Sequence, residues 1–339
     1  VIEPLVALVV GLSLLGLAWI VFRPDYGLWS RWRQTRITGA RILREDALKH
    51  LHTCEMEARR PTVHSLAGAL QVTVDEVVRV LSELESHGLV HLEGGEIQLT
   101  PDGREGALHI MRAHRLLERY LADETGYEAA EWHERAEQLE HHLTPQEADD
   151  LSARLGHPSY DPHGDPIPTA EGELAPQDSI PLVEAEVDQA LRIVHLEDEP
   201  RAVYAQIIAE DLSPGMVVRV INNQPNRLRF WAAGEDHVLA PIVAANIFVQ
   251  PIPKLEEVVE AGVKLSRLSP GEQGRILEIA PHCRGLERRR LLDLGFLPGT
   301  TVSATFANPG GDPKAYIIRD TVIALREEQA SCVRIEKTS

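Results

Sequence analysis

The stretch EWHERAEQLEHH places His133, Glu137, Glu140 and His141 at positions i, i+4, i+7 and i+8. On a helix these share one face. Upstream, HIMRAHRLLERYL carries His114 and Glu118 at i and i+4. Two antiparallel helices would bring the sets together. Imidazole and carboxylate without thiolate suit Mn²⁺ or Fe²⁺ among physiological metals, and Zn²⁺ or Co²⁺ would also bind. The same spacing suits a solvated face with charge pairs such as Glu137 to His141, and spacing alone leaves both readings open. Cys54, Cys283 and Cys332 show no CxxC spacing. They read as reduced thiols in a cytosolic compartment, and a cysteine-rich zinc finger is excluded. No nucleophile–base pair or phosphate-cradling glycine loop accompanies the helices, so an enzyme is not expected.

The elements that position these residues follow from pattern. Residues 44–104 read as a winged helix-turn-helix and 105–151 as a helical domain that holds the metal ligands. In the former, VHSLAGAL is a short helix with Leu66, Ala67 and Leu70 on its core face. Thr73 caps a second, in which Val74, Val77, Val78, Leu81 and Leu84 repeat at helical spacing. Gly88 ends that helix, and two strands joined at Gly94-Gly95 form the wing. Residues 152–182, with Pro158, Pro162, Pro166, Pro168 and Pro176, read as a Pro/Gly linker. Beyond it, short β-branched runs divided by turn signals predict small β-barrels at 183–253 and 263–337. Arg192-Ile193-Val194 answers Arg275-Ile276-Leu277, and Pro214-Gly215 answers Pro298-Gly299. This offset predicts two similar modules in tandem.

Charge weighs against bulk nucleic-acid binding. With 34 Lys+Arg against 52 Asp+Glu, the net charge is −18. The face expected to meet DNA offers Thr73, Asp75, Glu76, Arg79, Ser82 and Glu83. Carboxylates repel phosphate, although Arg79 could read a guanine edge.

At the N-terminus, Leu5 to Phe22 is uninterrupted and apolar, which at about 1.5 Å per residue just crosses a bilayer core. Trp19, Tyr26, Trp29 and Trp32 stand where interfacial aromatics belong, and Arg23, Arg31, Arg33, Arg36, Arg41 and Arg44 follow. The expectation is a transmembrane anchor at 1–24 and a basic juxtamembrane linker at 25–43. The cell membrane would be crossed once, with the soluble domains in the cytoplasm. Glu3 ahead of the run and large residues at its end argue against a cleaved signal peptide.

Residues 45–168 resemble the DtxR/MntR family of metal-dependent repressors. The likeness rests on the winged helix, LTPDGREGALHIMRAHRLLERYL, HERAEQLEHHLT and the closing PHGDPIP at 162–168. The resemblance implies dimerisation through the helical domain, with Asp46, Glu137, Glu140, His141 and His114 as metal ligands. It further implies an ancillary site from His114, Glu118 and His133. Carboxylates at 46 and 137 resemble the manganese-type branch. Lys49 departs from it, standing where a further carboxylate is usual, and would leave a mononuclear site. Residues 263–337 resemble FeoA, the SH3-like protein of ferrous iron transport, through LSRLSPGEQGRILEI, RRRLLDLGFLPGTTV and GDPKAYIIRDTVIALREEQASCVRI. The module at 183–253 is similar, less closely, to the SH3-like domain of the iron-type repressors. It would supply a further ligand from Glu197 or Glu199. Arg288-Arg289-Arg290 reads as a solvated face or a partner patch.

The expected fold class is therefore α+β multidomain. It comprises a transmembrane helix, a winged helix-turn-helix, a helical metal-binding and dimerisation domain, and two SH3-like small β-barrels. The expected function is a membrane-anchored, Fe²⁺- or Mn²⁺-dependent repressor, in which metal locks a DNA-competent homodimer. The alternative is a membrane-tethered metal sensor acting on a ferrous-iron transporter of the FeoB type, with DNA binding lost.

Overall fold

The computed structural model describes residues 28–232, 234–252, 262–280, 282–308 and 310–338, with side chains from residue 39 onward. They fall into two compact units, the first ending at Met111 and the second starting at Arg112.

The expected single-pass membrane localisation is corrected here. Among the described residues, no helix is long and apolar enough to cross a membrane. Helix α1, Leu28–Met56, has the length at 29 residues. Its sequence includes Arg31, Arg33, Arg36, Arg41, Arg44, Glu45, Asp46 and Lys49, charges that are costly in hydrocarbon. The stretch Leu5–Phe22, on which the expectation rested, lies outside the described residues. α1 begins inside the stretch read as a linker; from Leu28 to Met56, Gly39 is the only glycine and no proline occurs.

The first unit continues with α2 (Val63–Ala69), α3 (Val74–Ser86), β1 (Val90–Glu93), β2 (Glu96–Leu99) and the start of α4 (Pro101–Glu124). Thr62 and Thr73 cap α2 and α3. Each accepts a backbone N–H, and Ser65 and Glu76 return the bond to the cap. Buried Val77, Val80, Leu81 and Leu84 pack α3 against Leu48, Leu51 and Leu66. Val74 and Val78 of the expected stripe are instead 40% and 49% exposed, and Val80 takes the inward position. β1 and β2 pair antiparallel around Gly94 and Gly95 at φ 60° and 85°, the two left-handed positions a two-residue hairpin requires.

In the second unit, α4 runs on to α5 (Ala129–Glu140) and α6 (Pro145–Arg154). Leu117, Leu121, Trp132 and Ala136 pack α4 on α5, while Leu116, Ala148 and Ile167 pack α4, α6 and the following loop. Two antiparallel six-stranded sheets follow. The first is ordered β3 (Ile180–Pro181), β8 (Ile247–Pro251), β4 (Ala190–Leu196), β5 (Val217–Gln224), β6 (Arg227–Ala232), β7 (Glu235–Leu239), and the second β9 (Val263–Lys264), β14 (Val333–Thr338), β10 (Gln273–Ile279), β11 (Thr301–Ala307), β12 (Lys314–Ile318), β13 (Thr321–Leu325), the same order strand for strand. Each ladder slips at an equivalent place, between Ile193 and His195 in β4 (Ala190–Leu196) and between Ile276 and Glu278 in β10 (Gln273–Ile279). Helices α7 (Arg201–Ala209) and α9 (Gly285–Asp293) follow those strands, with the one-turn α8 (Pro241–Ala244) between them in the chain. Alternating apolar residues, such as Leu191 and Ile193 or Ile276 and Ile279, face the two cores.

Candidate metal centre

The centre forms around Glu118, which is 1% exposed. It lies one turn beyond His114 on α4, so both project from one face. His114 Nε2 is 3.1 Å from Glu118 Oε1, and the other ring nitrogen hydrogen-bonds Glu140 Oε2 from α5. His133, nearly two turns earlier on α5, brings Nδ1 to 3.2 Å from the same Oε1. The His114 and His133 rings meet edge to face at 4.8 Å.

The other oxygen of Glu118 faces a residue that the sequence reading used only as part of a signature. His163 Nδ1 lies 3.3 Å from Glu118 Oε2 and 3.7 Å from Asp198 Oδ2. Its loop is built to hold it there. The Asp161 carboxylate accepts N–H bonds from His163, Gly164 and Asp165 at 2.9, 2.8 and 2.9 Å. Arg112 Nη1 and Arg115 Nη1 on α4 donate to the carbonyls of Pro168 and Pro166 at 3.0 and 2.5 Å. Gly164, at φ +100°, lets the loop lie on β4, where an added Cβ would sit 1.9 Å from the Val194 carbonyl oxygen. Residues 161–164, expected to be linker, are consequently buried.

Asp198 follows β4 and reaches His133 Nδ1 at 2.8 Å. It is the inward member of three consecutive acidic residues. Its side chain is 13% exposed, against 42% for Glu197 and 72% for Glu199. Glu199 approaches His133 Nε2 from the rim at 3.6 Å. Beside this group is a cavity of about 410 Å³ lined by His133, Asp198, Glu199 and Tyr204.

The electrostatics are those of tightly paired buried charges. Burial opposes ionisation of Glu118, but His114 and His163 outweigh it and hold the carboxyl well below the usual range. Burial likewise opposes a charged His133, yet its bonds to Asp198, Glu118 and Glu137 carry it up to about 12. For His163, burial is overcome mainly by Glu118, and the ring is pushed up to about 10. Asp198 is lowered, because the bond from His133 outweighs burial. Protons therefore occupy the nitrogens a cation would take. The donors fit a divalent transition metal. His114, Glu118 and His133, and likewise Glu118, His163 and Asp198, each bring three ligand atoms within 4.8 Å of one another. His163 is fully buried with neither ring nitrogen in an aligned hydrogen bond.

The other expected ligands divide. Glu140 and His141 are buried, with Glu140 Oε1 3.7 Å from His141 Nε2. Glu137 is more than half exposed and reaches His133 Nε2 at 3.6 Å. Asp46 and Lys49 lie partly buried on α1 in the first unit. On α3, Thr73 and Glu76 are tied to each other at the cap, and Glu83 accepts from Arg44 at 3.1 Å. Arg79 projects with its side chain 73% exposed, 3.6 Å from Glu76, and Asp75 and Ser82 are exposed. Of the arginine triple, Arg288 donates to the Ile279 carbonyl at 3.1 Å and Arg289 to Glu124 at 3.2 Å. Two of the three are thus held within the chain.

Helices bearing a buried histidine–carboxylate centre whose donors suit a divalent metal, followed by twin antiparallel sheets, define a mixed α+β protein. Residues 100–169 match the family model for the iron dependent repressor, metal binding and dimerisation domain, and residues 263–337 match the FeoA domain. The chain carries a segment matching each of these two models and is similar to metal-dependent repressors of the DtxR/IdeR family. The iron-dependent repressor IdeR of Mycobacterium leprae is 33% identical over 122 residues, 36% of this chain and 53% of that protein. The chain thus spans about half the length of the curated relative it matches. A solved manganese-dependent transcriptional repressor in complex with manganese is 27% identical, covers 62% of this chain and 100% of its own, and has a TM-score of 0.57. The structure of ScaR with bound Zn²⁺ is 26% identical with a TM-score of 0.53, covering 62% and 99% of the two chains.

Proposed function

We propose that this chain is a transcriptional repressor that requires Fe²⁺ or Mn²⁺ and acts as a homodimer. The observation that carries the reading is the convergence of imidazoles and carboxylates on Glu118, most of them inside the domain matched as metal-binding and dimerising. We assign the ancillary ion to His114, Glu118 and His133, joined by Asp198. The regulatory ion belongs, as the family resemblance implies, to Asp46, Glu137, Glu140 and His141, with His114 beside them. A cation bound to both the first helix and the helical domain stabilises one arrangement of the winged helices and so shifts the population toward the DNA-competent form. In that form α3 enters the major groove, Arg79 reads base edges, and Thr73, Asp75, Glu76, Ser82 and Glu83 flank it. The two six-stranded sheets serve as SH3-like modules. The transporter-adaptor alternative has no support in the fold or in these relatives.

The test is fluorescence anisotropy of the full chain on its own upstream DNA, with Mn²⁺ or Fe²⁺ against chelator. Metal-dependent binding at physiological salt is expected. Binding that ignores metal, or no binding at any salt, overturns the reading. Glu140→Ala should abolish the metal-induced rise in melting temperature, and an unchanged rise removes Glu140 from the ligand set.

A further inference from the structure

A second group of ligand-type side chains lies in the FeoA-matching module, apart from the histidine–carboxylate centre. Cys283 precedes α9, Glu287 lies in the first turn of α9, and Cys332 precedes β14 (Val333–Thr338). One ligand atom from each lies within 4.8 Å of the others. The backbone fixes this meeting. The Ala280 N–H donates to the Cys332 carbonyl at 2.7 Å, and the Cys283 N–H donates to the Ala280 carbonyl at 3.0 Å. The imidazole of His282 faces the Cys332 sulfur, and its buried Nδ1 has no hydrogen-bond partner among the described residues. Both cysteines are buried free thiols, whereas Glu287 is exposed. His282 also lines a cavity of about 470 Å³.

Small buried cysteines often serve only as core filler. That role explains their burial, but not a carboxylate set against both sulfurs and an imidazole beside the Cys332 sulfur.

We propose that His282, Cys283, Glu287 and Cys332 form a binding site for a thiolate-preferring divalent cation of the Zn²⁺ class. Two sulfurs, one imidazole nitrogen and one carboxylate oxygen make the four-donor set such ions take. On loading, both S–H protons leave to solvent and two metal–sulfur bonds form, with no electron transferred. The site differs in kind from the centre around Glu118, whose donors are all nitrogen and oxygen. Glu287 provides the solvent-facing side through which the ion enters.

The full chain, reduced and free of metal, is titrated with Co²⁺ under anaerobic conditions. A thiolate-to-cobalt charge-transfer band in the near ultraviolet is expected, saturating at one ion per chain and bleached by Zn²⁺. Nitrogen and oxygen ligands give no such band, so the Glu118 centre cannot produce it. The band should disappear in Cys283→Ser and Cys332→Ser and persist in Cys54→Ser. Because the first two positions are in the core, His282→Ala and Glu287→Gln provide a second readout: a shifted visible spectrum and weaker binding with the fold intact. No band in the reduced wild type, a band that survives both core substitutions, or spectra unmoved by both peripheral ones overturns the assignment.

Discussion

The two oxygens of the Glu118 carboxylate face different partners. Oε1 is 3.1 Å from His114 Nε2 and 3.2 Å from His133 Nδ1, while Oε2 is 3.3 Å from His163 Nδ1. One buried carboxylate thus separates three imidazoles. Removing one partner of a buried pair typically costs about 3–5 kcal/mol, since the remaining charges lose their complement. Glu118→Ala should therefore melt well below the wild type without metal, and Mn²⁺ should restore little of the loss. Calorimetry with and without Mn²⁺ decides this. A variant that melts like the wild type and keeps its metal-induced rise would remove Glu118 from the centre.

The same pairing sets a pH dependence. His133 rises from an ordinary 6.5 to about 12 and His163 to about 10. Their contribution to the metal-free fold is full below 6.5 and fades as pH climbs through the raised values. Glu118 and Asp198 are depressed from 4.5 and 3.8, so theirs is present above those values and lost as pH falls through the lower ones. Metal needs the ring nitrogens free of protons, so loading at neutral pH releases protons and strengthens as pH rises. The metal-induced rise in melting temperature should grow between about pH 6 and 8. Titration calorimetry in buffers of different ionisation enthalpy should show the release. A rise independent of pH, with no proton release, contradicts the coupling.

The face shared by His133, Glu137 and Glu140 was legible from spacing, because a helix repeats by geometry alone. The fourth partner was not. Expectation fell on Glu197 or Glu199, and Asp198 between them turns inward. Neighbouring residues of an extended segment alternate sides, and the slip between Ile193 and His195 resets which side that is. A register shift of this kind leaves no mark in composition. His163 was hidden differently. PHGDPIP served as a family signature, and only burial of the loop under Gly164 turns its histidine into a donor. On α3 the valines were too many for the pattern to select among, and packing chose Val80 over Val74 and Val78.

Asp198 and Glu199 can be separated by one pair of substitutions. Asp198→Asn removes the carboxylate that accepts from His133 at 2.8 Å and should weaken Mn²⁺ binding at the ancillary position about tenfold or more. Glu199→Gln alters a side chain that is 72% exposed and should change affinity by less than about threefold. Titration calorimetry on both variants measures this. Equal losses would mean that rim charge rather than a specific donor matters.

Gly164→Ala probes the loop that delivers His163. The new Cβ would meet the Val194 carbonyl oxygen at 1.9 Å and His195 Cα at 2.9 Å, at a φ of +100°. Both obstacles are backbone, so a side-chain adjustment cannot relieve them. A loss of at least about 2 kcal/mol is expected from a strained left-handed position combined with overpacking. Urea unfolding should show a lower midpoint, and ligand binding at the Glu118 centre should weaken in parallel. Wild-type stability in this variant would mean that the loop does not seat on β4.

Arg79 and Glu83 give opposite expectations on the same helix. Arg79 projects with its side chain 73% exposed, whereas Glu83 is held by Arg44 at 3.1 Å. If α3 enters a major groove, Arg79→Ala should cost about 1–3 kcal/mol of DNA affinity and relax specificity at the base it reads. Glu83→Gln removes a charge that repels phosphate and leaves Arg44 available to it, so affinity should rise and the salt slope steepen. Arg79 meets the Thr73–Glu76 cap only through an exposed ion pair of 3.6 Å, so both variants should melt within about 0.5 kcal/mol of the wild type. Anisotropy titrations over a range of salt concentrations read both effects. Two variants that bind like the wild type would place the DNA contact elsewhere than on α3.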